Sequence, residues 1–258
     1  MNGTGADWSD SVSNTVRTAV GSARPVMTLR RLRLASGLVM LTYVTSHMLN
    51  HILGLVSVAS ADAMLRVVID VWQSRFGTFV LYGAFATHLM LALRTIHRRR
   101  EWRLPLTEWL RLWAGFSLPL LLIGHVVSTR LSVTLYGVEP SYRMIVTKLA
   151  RSGAQGWQLA LLAPGWLHGC LGLWLSLRRF ASMQRAKPIL LGIVVLLPLL
   201  SALGFLAMDR AVAGVPALPS TTVPPAALRS WREAILAAYL MLIAGAFAAN
   251  LLRSRLAR

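Results

Sequence analysis

The sequence predicts an all-α membrane protein with six transmembrane helices, and three observations support this fold class. Hydrophobic residues make up 55% of the chain and charged residues only 14%, and the mean hydropathy is +0.58. Six segments contain no Asp, Glu, Lys or Arg, and each approaches or exceeds the roughly 20 residues that cross a bilayer core. The basic residues are concentrated between alternate segments, as expected of a chain that crosses a membrane several times.

The six predicted helices cover residues 34–58, 76–93, 112–129, 157–177, 189–208 and 234–252. Helices 5 and 6 are almost purely apolar and are expected to shield a core formed by the first four helices from lipid. Residues 59–75 are predicted to form a loop. The longer third loop is predicted to hold a short amphipathic helix near residues 141–151, and prolines predict an extended connection between helices 5 and 6.

The distribution of positive charge predicts that both termini are cytoplasmic. Of the 27 basic residues, 18 precede helix 1, lie in the 2–3 and 4–5 loops or follow helix 6, and nine lie in the other three loops. This placement favours anionic lipid headgroups as partners and argues against nucleic acid. Residues 1–29 are polar and are predicted to be a disordered cytoplasmic segment before a single membrane domain, 30–258. Cys170 is the only cysteine, which excludes an internal disulfide and a cluster held by cysteines of this chain.

Four histidines lie near the middle of the first four predicted helices, one in each: His47, His88, His125 and His168. An imidazole is costly in hydrocarbon and is retained there only with a partner. Neutral imidazole is the usual axial ligand of a b-type haem, so four such histidines predict two haem b groups with two ligands each. A proton relay, another metal or ordinary helix packing are the alternatives.

The depth of each histidine predicts how the four are paired. With a rise of about 1.5 Å per residue, His47 and His125 lie about 2 and 7 Å to the outer side of their helix centres. His88 and His168 lie about 5 and 2 Å to the cytoplasmic side. These depths predict an outer haem between His47 and His125 and an inner haem between His88 and His168. Small residues beside the ligands are expected to make room for them: Gly83, Ala84, Ala92, Gly124, Gly165, Gly169 and Gly172.

His51 lies one turn from His47 on the same helix face and matches the depth of His125 equally well. Either histidine could therefore be the outer ligand, with the other bonded to a haem propionate or a quinone. We expect a quinone near the outer haem, between His51, Arg130 and an aromatic edge of Tyr136 and Trp157, since amphipathic aromatics settle at the membrane interface. The cytoplasmic edge formed by residues 94–102 is the alternative quinone site.

The motifs SHMLNH, HLMLA, HVVSTRL and HGCLGLW resemble the diheme cytochrome b membrane anchor of succinate:quinone and fumarate oxidoreductases, over about residues 30–208. The resemblance implies axial ligands at His47, His88, His125 and His168, and it favours His47 over His51. With its sixth helix, the chain is still more similar to the six-helix diheme anchors of some bacterial class III adenylate cyclases, which are thought to sense the quinone pool.

These resemblances imply a multi-pass protein of the bacterial cytoplasmic membrane that responds to quinone or redox state and regulates a cytoplasmic effector such as an adenylate cyclase. The alternative is an electron-transfer anchor subunit of a succinate- or fumarate-type oxidoreductase. A cofactor-free membrane protein with histidines in a proton path is a third hypothesis. The implied partners are lipid, quinone and the effector, and a second copy of the chain remains open. The chain contains no recognised catalytic domain, so catalysis would belong to the effector or a partner subunit.

Overall fold

The structure is a computed structural model that describes residues 7–153, 155–214 and 224–256, with the side chains of 7–27 and 152 outside the described part. Every regular element in these ranges is helical. The helices are α1 (Asp7–Ile52), α2 (Val58–Trp72), α3 (Arg75–Arg98), α4 (Leu106–Val126), α5 (Ser132–Tyr136), α6 (Tyr142–Ser152), α7 (Gln155–Leu177), α8 (Ala181–Arg185), α9 (Lys187–Val212) and α10 (Pro225–Leu256). A 3₁₀ turn (Leu53–Leu55) follows α1, and a π-helical turn (Val127–Leu131) joins α4 to α5.

Six helical segments of the described residues are long and apolar enough to cross a membrane, as the sequence predicted. They are Thr28–Leu55, Arg75–Arg98, Leu106–Tyr136, Gln155–Leu177, Lys187–Val212 and Pro225–Leu256. All six begin before the uncharged core recognised in the sequence, in most cases because charged residues continue the helices, whereas the first ends at Leu55 and not at residue 58. The sequence predicts disorder for residues 1–29. Of these, residues 1–6 lie outside the described part, and the backbone of residues 7–29 belongs to α1.

The four helices that carry the mid-membrane histidines are brought together by α1, which packs on both α3 and α7, while α7 packs on α4. The two histidine-free helices lie on different sides of this group. Helix α9 packs on α1 and α7, and α10 packs on α3 and α4. The expectation that helices 5 and 6 cover a four-helix core is met at the level of helix packing.

One end of the bundle, here called the cap end, is covered by α2 and α6. The prediction that residues 59–75 form a loop is wrong, because Ser57 caps α2 by accepting a hydrogen bond from the Ser60 amide at 3.0 Å. The predicted short helix at 141–151 is confirmed as α6. The amide of Tyr142 donates to the Asp62 carboxylate at 2.5 Å and so ties α6 to α2. Burial, with the nearby Asp62, raises the pKa of Tyr142 above its usual value, so the phenol remains neutral.

Helices α1 and α9 meet at the cap end in a backbone-to-backbone contact. A Cβ atom at Gly204 would collide with the His51 carbonyl oxygen, and one at Gly54 would lie 2.5 Å from the Gly204 carbonyl oxygen. The absence of side chains at both positions therefore allows the two helices to approach closely. This contact places the His51 turn of α1 directly against the Phe205 turn of α9.

A proline in α9 is compensated by a tryptophan in α7. Pro198 has no amide hydrogen, so the Val194 carbonyl, four residues earlier, lacks its helical donor. The Trp166 indole Nε1 donates to this carbonyl at 3.0 Å. Helix α7 thereby supplies the bond that α9 cannot form, and in a membrane no water is at hand to replace it.

At the opposite end, here called the terminal end because α10 finishes there, α10 is bonded to the backbones of two other helices. The Asn250 side-chain Nδ2 lies 2.7–3.0 Å from the carbonyl oxygens of Ile96, His97 and Arg99, where α3 ends. The Tyr239 hydroxyl donates to the Phe116 carbonyl of α4 at 2.9 Å. Since the last carbonyls of a helix have no partner within it, Asn250 acts as a cap supplied by a neighbouring helix.

We predict that Trp166→Phe lowers the free energy of unfolding by about 1–3 kcal/mol, because the Val194 carbonyl is left buried without a donor. In a Pro198→Ala background α9 regains its own amide donor, so Trp166→Phe should lower the free energy of unfolding by markedly less. Unfolding in mixed micelles, analysed as a double-mutant cycle, measures the difference. Trp157→Phe is the matched control, since Trp157 is 53% exposed, and it should stay within about 0.5 kcal/mol. Equal costs in both backgrounds would disprove the compensation.

Candidate functional site: two histidine pairs

The four mid-membrane histidines form two pairs, and the pairs are those that the depths predicted. The ring centroids of His47 and His125 are 5.9 Å apart, and those of His88 and His168 are 6.1 Å apart. In both pairs the rings are steeply inclined, at 71° and 80°. We call them the cap-end pair (His47 and His125) and the terminal-end pair (His88 and His168).

Protein acceptors fix the tautomers of the terminal-end pair. The Nδ1 atom of His168 lies 3.0 Å from the Arg111 carbonyl oxygen, which can only accept, so Nδ1 carries the hydrogen. His88 Nδ1 lies 3.1 Å from the Ser36 hydroxyl. The hydroxyl donates its own hydrogen to the Arg33 carbonyl and therefore accepts from His88. Both imidazoles thus keep a lone pair on Nε2, which has no hydrogen bond to a described residue.

The same reasoning applies to His125 in the cap-end pair, but His47 differs. His125 Nδ1 lies 2.8 Å from the Gln158 side-chain oxygen, which accepts its hydrogen and leaves the lone pair on Nε2. His47 Nε2 lies 3.2 Å from His51 Nε2, so these two imidazoles share a hydrogen bond. The His47 ring also lies against Tyr43, with the planes 9° apart. Of the two candidates on α1, His47 is the one in ring contact with His125.

Glycines face the terminal-end pair, although not the glycines that the sequence suggested. A Cβ at Gly37 would lie 3.4 Å from the His88 ring, and one at Gly115 would lie 2.7 Å from the His168 ring. By contrast, a Cβ at Gly83 or Gly172 would meet nothing within 4 Å. The sequence drew attention to glycines beside each histidine on the same helix, whereas the glycines that face them come from α1 and α4. Residues on another helix are not ordered by sequence distance, so only the packing reveals them.

Two arginines at the terminal-end pair also escaped the sequence reasoning. Arg33 lies one turn before Ser36 on α1. It donates to the Thr95 hydroxyl at 2.8 Å and to the Leu91 carbonyl. Arg111 supplies the carbonyl that binds His168. In the sequence both belonged to basic stretches that were explained by membrane anchoring. Both arginines lie within one helical turn of the group that bonds a buried histidine. That proximity is the signal that could have identified Arg33 and Arg111.

The proposed quinone-site residues are not brought together with His51. Arg130 lies in the π-helical turn and donates to the Thr78 hydroxyl of α3 at 3.1 Å. Trp157 is 53% exposed, and Tyr136 is half-buried at the end of α5. Among the described residues, no hydrogen bond or ring contact joins any of them to His51. Instead, His51 contacts the rings of Tyr142 and Phe205, with centroids 5.4 and 6.0 Å away.

Each pair would offer one metal two imidazole nitrogens. Since metal–imidazole bonds are about 2 Å long, two rings with centroids about 6 Å apart could both reach a metal held between them. Both pairs have this separation. No cluster of three or more His, Cys, Asp or Glu residues suited to a metal occurs in the described ranges, so two protein ligands per centre is the upper limit seen there.

The chain matches no protein-family model, no curated protein and no solved structure. The resemblance to the diheme anchors therefore depends on the histidine motifs alone.

We predict that Gly115→Ala destabilises the protein by about 1–3 kcal/mol, because the new methyl group must displace the His168 ring or part the helices. Gly172→Ala, on α7, is the matched control. Its methyl group meets nothing within 4 Å, and a helical Gly→Ala exchange should stabilise by about 0.5–1 kcal/mol. Thermal unfolding in detergent measures both. A stabilised Gly115→Ala variant would show that His168 does not occupy the position described.

Proposed function

We propose that this chain is a membrane-embedded diheme b-type cytochrome domain of the bacterial cytoplasmic membrane, which responds to quinone and redox state and regulates a cytoplasmic effector such as an adenylate cyclase. The observation that carries the proposal is the two histidine pairs, with ring centroids 5.9 and 6.1 Å apart. Each haem, when bound, would supply one-electron redox chemistry. The excess of basic residues at the terminal end supports a cytoplasmic position for that end and an external position for the cap end.

The hydrogen bonds of the histidines support ligation through Nε2. Metal-bound histidines commonly donate their other ring N–H to a carbonyl, carboxylate or similar acceptor, which fixes the tautomer and the ring orientation. Ser36, Arg111 and Gln158 provide such acceptors for His88, His168 and His125. A proton relay through the four pair histidines would need a continuous hydrogen-bonded path between them, and among the described histidines a direct hydrogen bond joins only His47 and His51.

At the cap end, ligation requires one exchange of partners. His47 would turn its Nε2 from His51 toward the metal, and His51 would then be free to bond a propionate or a quinone oxygen. At the terminal end, Arg33 and Arg111 are the cations that would bind propionate carboxylates, since charge-assisted bonds to arginine are strong. Glycines 37 and 115 would keep the neighbouring helix surfaces open beside the ring.

The contacts of α10 support an output through the last helix. Tyr239 bonds the Phe116 carbonyl, which is adjacent to Gly115 and therefore to the His168 ring. Asn250 bonds the carbonyls at the end of α3, two turns beyond His88. A displacement of either helix at the terminal-end pair would thus move an atom that α10 holds. This arrangement favours a regulator over a plain electron-transfer anchor, which needs no such connection. Co-purification with a flavoprotein and an iron–sulfur subunit would favour the anchor instead.

We predict two haem b groups per chain and the loss of one of the two in His88→Ala, His168→Ala, His125→Ala and His47→Ala. The pairs lie at different depths, so each variant should keep the haem of the other pair. A pyridine haemochrome assay with protein quantification gives the ratio, and reduced-minus-oxidised spectra show which haem remains.

His97→Ala and His51→Ala serve as matched controls, since both remove a histidine outside the proposed ligand pairs. Both should keep two haems, and His51→Ala should shift the potential of the cap-end haem. Two haems in every variant would refute the ligand assignment. Loss of a haem in His51→Ala but not in His47→Ala would exchange their roles.

For the output helix, we predict that oxidised and quinol-reduced protein differ in amide exchange near the end of α10, and that Asn250→Leu abolishes the difference. The same substitution should speed exchange at the end of α3 about tenfold, the effect of losing roughly 1.4 kcal/mol of hydrogen bonding. Ser254→Ala is the control, since Ser254 bonds only within its own helix. Identical exchange in both redox states of the wild-type protein would argue for the electron-transfer anchor.

A further inference from the structure

The cap end contains a concentration of buried polar atoms that have no hydrogen-bond partner among the described residues. Two of the side chains, Asn50 and Ser201, are 0% exposed. The atoms belong to three helices that meet beside His51. We call this group the cap-end polar cluster: both side-chain polar atoms of Asn50, Nδ1 of His51, the hydroxyls of Tyr142 and Ser201, and Oδ1 of Asp209.

The helices that carry the cluster meet at the close contact between α1 and α9 and at the ring contact between α1 and α6. The ring of His51 lies 5.4 Å from that of Tyr142 and 6.0 Å from that of Phe205. On α9, Ser201 lies four residues before Phe205 and Asp209 lies four residues after it. All three therefore share one helix face, and each of the two polar residues is about 6 Å from Phe205 along the axis. The polar atoms thus follow the His51–Phe205 contact from the bundle interior toward the cap end.

Burying a polar atom without a partner is unfavourable, and such atoms call for a specific explanation. The cluster combines donors with acceptors: an amide that does both, two hydroxyls and a carboxylate oxygen. This mixture does not suit a cation, which needs acceptors, or an anion, which needs donors. Water both donates and accepts, and buried waters typically bond about three such groups. Polar side chains at membrane depth are also typical of water-filled paths.

The two ends of the bundle differ in this respect. In the described part of the chain, the only other buried side-chain atom without a partner is Nε of Arg253, near the end of α10. Each histidine of the terminal-end pair has a protein acceptor at Nδ1, whereas Nδ1 of His51 at the cap end has no partner among the described residues. At the cap end the cluster continues outward to Asp209, which is half-buried and precedes the exposed Arg210.

We propose that the cap-end polar cluster binds a chain of ordered water molecules, which forms an aqueous inlet from the cap end to the cap-end histidine pair. The inlet begins at Asp209, passes Tyr142 and reaches His51, whose other ring nitrogen bonds His47. Water, and solutes small enough to follow it, reach the cap-end pair through this inlet. The inlet does not depend on a bound haem.

Radiolytic hydroxyl labelling of the full chain in lipid nanodiscs tests the inlet, because radicals formed on an ordered water modify the side chain that it touches. Tyr142 and Tyr239 form a matched pair. Tyr142 is 3% exposed with an unpartnered hydroxyl, whereas Tyr239 is 8% exposed with its hydroxyl bonded to Phe116. We expect Tyr142 to be labelled several-fold faster. Labelling of Tyr239 at an equal or higher rate would overturn the proposal.

A bulk radical scavenger separates bound water from solvent that leaks in from the surface. It should slow the labelling of Tyr136, a more exposed tyrosine at the same end, and leave that of Tyr142 unchanged. A parallel loss at both tyrosines would mean that only bulk water reaches Tyr142, which contradicts an ordered chain.

Ser201→Ala distinguishes a hydrated cluster from a dry one. If Ser201 binds water, the variant should label Tyr142 more slowly and should not raise the melting temperature. If the site is dry, removing an unpartnered hydroxyl should raise the melting temperature and leave labelling unchanged, and either result would count against the inlet. Ser132→Ala is the control, since Ser132 is equally buried but bonds the Val127 carbonyl.

Discussion

The membrane interior offers no water to replace a missing hydrogen bond, and this constraint governs how the helices of this chain are assembled. A carbonyl released by Pro198 must be bonded by another helix, and Trp166 provides that bond. Carbonyls at the end of α3 accept hydrogen bonds from Asn250 of α10. The same requirement applies to the imidazoles. Protein acceptors on other helices bond Nδ1 of His88, His125 and His168, so the solvent accounts for one nitrogen of each ring and leaves Nε2 without a hydrogen bond to a described residue.

The pairing could be predicted from the sequence because it depends on one coordinate, the depth along the membrane normal. A helix rises by a constant amount per residue, so His47 and His125 could be matched without knowing which helices touch. The six spans and α6 were predictable for a similar reason, since charge and periodicity are local. Helix α2 was not predicted, although Ser57 is a standard capping residue, because a short segment between two predicted membrane helices was interpreted as a loop.

What the sequence could not show depends on the other two coordinates, the lateral arrangement of the helices. Gly37 and Gly115 face histidines on different helices, and nothing in their own segments distinguishes them from Gly83 or Gly172. The same holds for the expected quinone site: Arg130, Tyr136 and Trp157 lie toward the same end of the bundle as His51, yet Arg130 bonds α3 while His51 packs against α6 and α9. Lying at the same end of the bundle does not establish contact. The quinone position therefore stays a prediction.

The two histidine pairs differ in how their surroundings satisfy them, and this difference bears on what each could do. At the terminal end, acceptors on α1 and α4 bond the Nδ1 atoms of both rings, and α10 is bonded to α4 and to the end of α3, the helix that carries His88. At the cap end, His47 shares its nitrogen with His51, and the unpartnered atoms around His51 require water or a ligand. A site that must exchange partners is suited to admit a small molecule, whereas a site whose Nδ1 partners are already in place is suited to transmit a displacement. We propose on this basis that the cap end would receive a small molecule and the terminal end would provide the output, with α1, which contributes to both pairs, connecting them.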